Sequence, residues 1–524
     1  MLVLFFSSVL RRLCGCCVII IIITSSLSSY LLLRSLFLDI IILLLLASTA
    51  EQIPLQRACR IRKYLFLRLP EKRVWKMFLH SVNNAIKRTT IRSFATSASP
   101  RQVVVVDGVR TPFKRSSTDF DNLKAYDLGR IAIKGLMDKT ALKPSDIDYV
   151  SFGTVIQEVK THNLARECAL GAGLLKTTPA HTVSMACISS NQAITTAAEK
   201  ILSGRADVVL AGGAETMSDA PIRYNEKMRK RLIGAGKAMK KGPVGMVNHF
   251  SKGFSVKELV PEAPAVANFI TGEVMGHSAD RLAAKFGISR EQQDEFAKKS
   301  HDSAAAAHAE GLLKSQIVPV NGNSEDNGVR GGTSMEDYSK LKPAFIKPHG
   351  TITAANASFM SDGASCSLIM SNTKAEEMGL KPMAVLKDWN YHAVDPFEEL
   401  LLAPAFCIAK ILKQNNLTVD DVDVWEIHEA FAGQVLANLA ALESDEFSST
   451  RFEGYDKAVG KIPHSKINTW GGSLSIGHPF GATGSRLVTT LANRLQRENK
   501  KYGICAACAD SGLGNATLLE NPDL

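Results

Sequence analysis

Residues 206–215 read ADVVLAGGAE, and residues 501–512 read KYGICAACADSG. Each is an apolar run of strand length that ends in small residues and a turn. Each also follows an amphipathic helical stretch, Asn191–Leu202 in one case and residues 483–498 in the other. The two read as one supersecondary unit used twice. Working outward, Gln102–Asp107 (QVVVVD) is a continuous apolar run, as a strand buried on both faces requires. Helical periodicity follows near 126–138 and 163–173, with a further strand-like run at His181–Ala186. Strand and helix in alternation predict an α/β fold with a largely parallel sheet, built from two similar halves. Such halves set their equivalent strand-to-helix corners face to face, and a site between them takes one corner from each. Residues 221–345 break the rhythm, being helical, charged and interrupted by glycine, and are predicted to form an inserted domain. The expected division is 101–220 with 346–385 for the N-terminal half, 221–345 for the insert and 386–524 for the C-terminal half.

The chain has 524 residues and a formal charge of +11, and the charge is unevenly placed. Residues 1–100 hold 14 Lys and Arg against 3 Asp and Glu. Taking these from totals of 62 and 51 leaves 48 of each sign in residues 101–524. The basic balance belongs to the N-terminal extension, so it does not argue for a nucleic-acid partner. Within that extension, residues 77–99 (MFLHSVNNAIKRTTIRSFATSAS) contain no acid, carry Lys87, Arg88 and Arg92, and are rich in Ser and Thr. That is the composition of a mitochondrial transit peptide, so 77–100 is expected to be removed on import, leaving a mature start within 92–102. Residues 1–76 are expected to lie outside the mature protein, with Met77 as the working start. Their apolar runs, Cys17–Ile23 and Asp39–Ala47, fall short of the roughly 18 residues a spanning helix needs.

Six cysteines remain after the extension: Cys168, Cys187, Cys366, Cys407, Cys505 and Cys508. They are too sparse for a disulfide framework and suit a reducing compartment. Cys505 and Cys508 form a lone CxxC without the second ligand pair that a structural zinc site needs, so no metal is expected. Three residues sit where chemistry is easily presented. Cys187 lies at the junction of a strand and a helix, where the helix dipole and free N–H groups favour a thiolate. His478 lies in the loop Gly477-His-Pro-Phe-Gly481, and Cys508 stands between a buried strand and a turn. Each alone reads more readily as a packing or loop residue; their placement at equivalent corners of the two halves sets them apart.

The stretches around them, SMACISSN (184–191), HEAFA (428–432), GGSLSIGHPFGATG (471–484) and CADSGLG (508–514), resemble the signatures of the thiolase family. VVVVDGVRTPF (103–113), EVMGHSADRLAA (273–284) and TAANASF (353–359) extend the likeness over roughly four-fifths of the chain. The resemblance implies a duplicated five-layered α/β/α/β/α fold with an inserted loop domain. It implies Cys187 as nucleophile, His478 as its proton acceptor and an oxyanion ligand, and Cys508 as the acid and base for the leaving and entering groups. His428 would stand where most thiolases place an Asn that holds water in an oxyanion hole, and backbone N–H groups of Cys187 and Asp510 would form a second hole. Met275 and Ser358 would line the pantetheine arm of coenzyme A, and Phe431 would border the acyl tunnel. No cofactor or metal is implied, coenzyme A being a substrate.

His428 narrows the resemblance to the β subunits of mitochondrial trifunctional complexes. That branch implies cleavage of long-chain 3-ketoacyl-CoA by CoA, a homodimeric core, an α subunit with hydratase and dehydrogenase activities, and a place on the matrix side of the inner membrane. An acetoacetyl-CoA thiolase should carry Asn at 428, and a decarboxylating ketoacyl synthase should lack Cys508. A carrier or scaffold without catalysis would not need the set Cys187, His478 and Cys508. Asp510 departs from the usual Gly-rich turn, and a carboxylate there is expected to oppose a developing oxyanion. Residues 223–257 carry ten basic side chains against Glu226 alone, interleaved with large apolar residues such as Ile233 and Phe250. A solvated charged loop has this composition; so does a contact with anionic lipid, which the long-chain resemblance favours.

Overall fold

The computed structural model describes residues 101–262 and 267–524. The expected transit peptide (77–100) and the segment 1–76 lie outside the described residues. The first half contains β1 (Val103–Arg110), β2 (Lys114–Arg115), α1 (Ala125–Thr140), β3 (Tyr149–Gly153), α2 (Leu164–Gly171), β4 (Ala180–Val183), α3 (Ser189–Leu202) and β5 (Val208–Glu215). The insert supplies α4 (Glu226–Met239), α5 (Gly242–Ser251), α6 (Met275–Lys285) and α7 (Arg290–Ala309), after which β6 (Ser361–Ser371) returns to the first half. The second half contains β7 (Ala384–Ala393), α8 (Ala403–Gln414), β8 (Val424–Ile427), α9 (Ala432–Glu443), α10 (Thr483–Arg497), β9 (Tyr502–Ala509) and β10 (Leu513–Glu520).

The strands run in the order β4-β3-β5-β6-β1-β7-β10-β9-β8, with β2 paired to β6. Without the edge strand β4 the order is palindromic: β3-β5-β6-β1 matches β8-β9-β10-β7. Within the sheet the halves join where β1 pairs β7, Val104 with Val385 and Val105 with Ala384. β7 pairs along most of its length with β10, so the second half begins at Ala384, just before the expected boundary at 386.

The expectation of a largely parallel sheet is corrected. β3 is parallel to β4 and β5, and β8 to β9. The pairs β5–β6, β6–β1, β1–β7, β7–β10 and β10–β9 are antiparallel. Each half closes by an antiparallel return, and β9 passes through Asp510–Gly512 straight into β10. A strand buried on both faces reads as the same apolar run in either direction, so periodicity does not distinguish the two cases.

Three apolar clusters define five layers. α1 and α2 cover one face of the first half-sheet, through Leu128, Leu136 and Cys168 against Phe152, Leu210 and Leu368. α8 and α9 cover the far face of the second, through Phe406, Ile408 and Leu436 against Ile504 and Leu518. Between the half-sheets lie α3 and α10, with Ile194, Ile201, Leu487, Leu491 and Leu495 packed against Val105, Val209, Cys505 and Leu519. Enclosed by both half-sheets, α10 is buried from Thr483 to Leu495, its leucines and polar side chains such as Arg486, Asn493 and Arg494 alike. The central helices touch at their N-termini: Ser485 N–H donates to Ser190 Oγ at 3.0 Å. Gly484 permits this, since a Cβ there would lie 2.0 Å from Asn191 Oδ1. That contact aims the two preceding loops, one carrying Cys187 and the other His478, at the same point.

Candidate active site

β4 stops at Val183, earlier than the sequence reading placed it, and residues 184–187 turn sharply with Ala186 at φ 47°. Ser189 at the start of α3 secures the turn, accepting from Met185 N–H at 2.8 Å and donating to the Ala186 carbonyl at 2.6 Å. Cys187 is thereby held two residues before α3, buried, with its sulfur near its own N–H and that of Asp510.

The second half brings two histidines to the same place. His428 follows β8, its N–H donating to Ala506 O at 2.8 Å, and its Nδ1 lies 2.9 Å from Ser473 Oγ. His478 follows Gly477, whose φ of 116° reverses the chain, and its N–H donates to Ser361 Oγ at 3.0 Å. The rings are 4.1 Å apart, and Cys187 Sγ and a ring nitrogen from each histidine lie within 4.8 Å of one another. Both Nδ1 atoms are engaged, so each ring presents an Nε2 that is buried and unpartnered.

The tautomer of His478 follows from its partner. Thr483 Oγ1 donates to the Pro479 carbonyl at 2.9 Å, and its oxygen therefore receives Nδ1–H from His478 at 2.7 Å. Nε2 is left as a lone pair. Burial, and after it the Arg486 guanidinium, lower the His478 pKa to about 3. Burial, then His478 and Arg486, hold His428 well below the usual imidazole range.

The pull toward a thiolate expected of a helix start does not prevail here. Burial pushes Cys187 up to about 12, outweighing the N–H of Asp510 that favours the anion. Cys508, at the end of β9 and close enough to feel Cys187, is raised well above the ordinary thiol value by burial first. The resting site is neutral throughout: two thiols, one imidazole able to accept a proton and a second imidazole beside it. Alternation along β9 turns Cys505 to the central layer and Cys508 to the outer cluster, which separates the two members of the CxxC.

The backbone N–H of Asp510 faces Cys187, and its side chain is held by the insert. Its carboxylate accepts from Asn268 Nδ2 at 2.9 Å, an amide in the insert that also donates to Ser511 Oγ at 3.1 Å. The carboxylate so engaged is still near enough for its charge to add to burial in raising the Cys187 pKa, in the direction expected of an acid opposing negative charge. The remaining candidates lie around Phe345, which packs against Gly276 and meets Phe431 edge-on at 6.0 Å. Met275 and Phe431 border this cluster, and Ser358 N–H donates to Ala430 O at 2.9 Å, fixing the TAANASF stretch beside the HEAFA stretch.

Sequence reasoning missed the buried acids that hold these loops. Glu215 accepts from Val155, Ile156 and Gly481 N–H at 2.9–3.0 Å and so ties β5 to the His478 loop; burial raises its pKa to about 7. Glu429 accepts from Ser300 Oγ at 2.7 Å, Asn468 Nδ2 at 2.6 Å and Leu474 N–H at 3.1 Å. For Glu215, a single acid closing the apolar run 208–214 was the available signal.

Residues 103–373 match the family model of the thiolase N-terminal domain and residues 380–521 that of the thiolase C-terminal domain. The chain belongs to the thiolase family. It is 54% identical over 436 residues to the mitochondrial trifunctional enzyme subunit beta of Bos taurus, covering 82% of this chain and 90% of that protein. A probable 3-ketoacyl-CoA thiolase of Caenorhabditis elegans is 50% identical, over 84% of this chain and 99% of that one. Among solved structures, the Bacillus anthracis acetyl-CoA acetyltransferase superposes with a TM-score of 0.69 at 30% identity, over 81% of this chain and all of that one.

Proposed function

We propose that the chain is a 3-ketoacyl-CoA thiolase that cleaves long-chain substrates with coenzyme A, in the last step of fatty-acid β-oxidation. The observation that carries this is the meeting of Cys187, His428 and His478 beside Cys508, in a neutral and water-poor site. Cys187 Sγ attacks the 3-keto carbon while its proton passes to His478 Nε2, so the thiolate exists only as it reacts. The oxyanion at C3 takes the N–H groups of Cys187 and Asp510. The bond between C2 and C3 then breaks, and the negative charge moves to the thioester oxygen, where His428 and His478 receive it. Cys508 protonates C2 to release acetyl-CoA, then takes the proton of the incoming CoA thiol, which removes the acyl group from Cys187. Met275, Ser358 and Phe431 serve the pantetheine arm and acyl chain.

The likeness to mitochondrial trifunctional enzyme beta subunits supports a mitochondrial setting and an α subunit as partner. A homodimeric core is part of the same reading. So is attachment of the insert to the matrix face of the inner membrane. What supports attachment is the hairpin α4–α5, where Ile233 and Val244 are 82% and 72% exposed on the helices that carry Lys237 and lead into and out of Lys240 and Lys241. Among the described residues no helix is long and apolar enough to cross a membrane, so the contact proposed is peripheral.

The test is CoA-dependent loss of 3-ketohexadecanoyl-CoA against acetoacetyl-CoA, repeated with Cys187→Ser. The long substrate should be preferred, and the variant should fold yet lose at least ~10³-fold in turnover, as loss of a nucleophile does. Preference for acetoacetyl-CoA, or trapping of acyl groups on another cysteine, would overturn the reading.

A further inference from the structure

Ser473 is fully buried, and its hydroxyl touches two side chains. Arg486 Nη2 donates to Oγ at 2.8 Å, and His428 Nδ1 lies 2.9 Å away on the same oxygen. Arg486 is itself buried on α10, with Glu426 Oε2 3.6 Å from its Nη1. A guanidinium has no lone pair to offer, so it cannot accept the serine proton. Among the described residues, His428 Nδ1 is the one acceptor within hydrogen-bond reach of that proton. If Nδ1 carried a hydrogen instead, the serine oxygen would receive two donors while its own proton stayed buried without a partner.

We propose that Ser473, oriented by Arg486, is a positioning residue that holds His428 in the tautomer with hydrogen on Nε2. The consequence is a division of labour between two neighbouring rings. Thr483 leaves His478 with a lone pair on Nε2, and Ser473 leaves His428 with a hydrogen on Nε2. One ring accepts the Cys187 proton and the other donates to negative charge on the substrate. With His428 in the opposite tautomer, both Nε2 atoms would present lone pairs and neither could donate to an oxyanion before a proton had moved. Two hydroxyls of opposite polarity thus distinguish two chemically identical side chains.

This inference deepens the thiolase reading and rests on it for its consequence, but its primary test needs no turnover. The full chain carrying ¹⁵N-labelled histidine should give, for His428, a protonated Nε2 and an unprotonated Nδ1, assigned against His428→Asn. Ser473→Ala should move His428 toward a mixture of tautomers, while Ser473→Thr should retain the wild-type signature. In thiolysis, Ser473→Ala should lower kcat by about 10- to 100-fold with KM changed by less than ~3-fold, the pattern of a lost oxyanion donor. Added to His428→Asn, it should cost less than ~2-fold more, because the ring it acts through is gone. Hydrogen on Nδ1 of His428 in the wild type would overturn the proposal, as would an undiminished loss in the His428→Asn background. A wild type inactive toward every 3-ketoacyl-CoA would overturn the thiolase reading alone, leaving the tautomer answered by the spectrum.

Discussion

The central layer and the insert solve opposite problems with charge and apolar surface. In the centre, α3 and α10 are buried among both half-sheets, and buried charges there find partners within the fold: Glu215 three backbone N–H groups, Arg494 the carboxylate of Glu426 at 2.8 Å. In the hairpin α4–α5 the apolar side chains Ile233, Val244 and Val247 face outward. Its basic residues fall into two sets. Arg229 and Arg231 pair with Glu262 and Glu258, acids just beyond the basic stretch, and Arg231 also donates to the carbonyls of His249 and Lys252. Lys237, Lys240 and Lys241 make no salt bridge among the described residues. The structure thus corrects the view of 223–257 as opposed by Glu226 alone: part of its charge builds the hairpin, and Lys237, Lys240 and Lys241 stand without an acid among the described residues. A patch of this kind is costly in water unless something covers it, whereas the same residue types in the core are covered by the fold itself.

The comparison breaks most readily at Leu491, fully buried on α10 between the half-sheets. Leu491→Ala should cost about 4 kcal/mol in urea unfolding, whereas Ile233→Ser in the hairpin should stay within about 0.5 kcal/mol. Equal effects would mean that the hairpin is packed as the core is. Next is the triple replacement of Lys237, Lys240 and Lys241 by Gln. At about 1 kcal/mol for each basic group near anionic lipid, cardiolipin-containing vesicles should bind up to ~100-fold more weakly in low salt, with thiolysis unchanged. Vesicle binding that survives the triple change would remove the hairpin as the contact. The smallest effect belongs to Asp510→Gly. With its carboxylate turned to Asn268, the change should alter kcat by less than ~3-fold, rather than the tenfold gain expected of a carboxylate facing the oxyanion. A tenfold gain would show that the carboxylate reaches the hole during turnover.

Much of this was legible in the chain alone. The doubled strand-and-helix unit around ADVVLAGGAE and KYGICAACADSG marked two halves, and the runs at Cys187, His428, His478 and Cys508 carried the family resemblance. Helices came within a few residues of their ends because amphipathic spacing is a local property. Other features depended on neighbours remote in sequence. The strand directions were hidden because buried runs look alike whichever way they pair. The neutral resting thiol was hidden because the helix start that favours a thiolate is local, while the burial that opposes it is supplied by the opposite half. The hydrogen bond of Asp510 was hidden because its partner, Asn268, lies in the insert.

Residue types and their order determined that this chain would make a duplicated α/β body with a cysteine, two histidines and a second cysteine at its corners. Only the tertiary structure decided their protonation, because a proton's position depends on which donor or acceptor stands within 3 Å, and Ser473, Thr483 and Arg486 acquire those positions only when the loops before α3 and α10 are brought together.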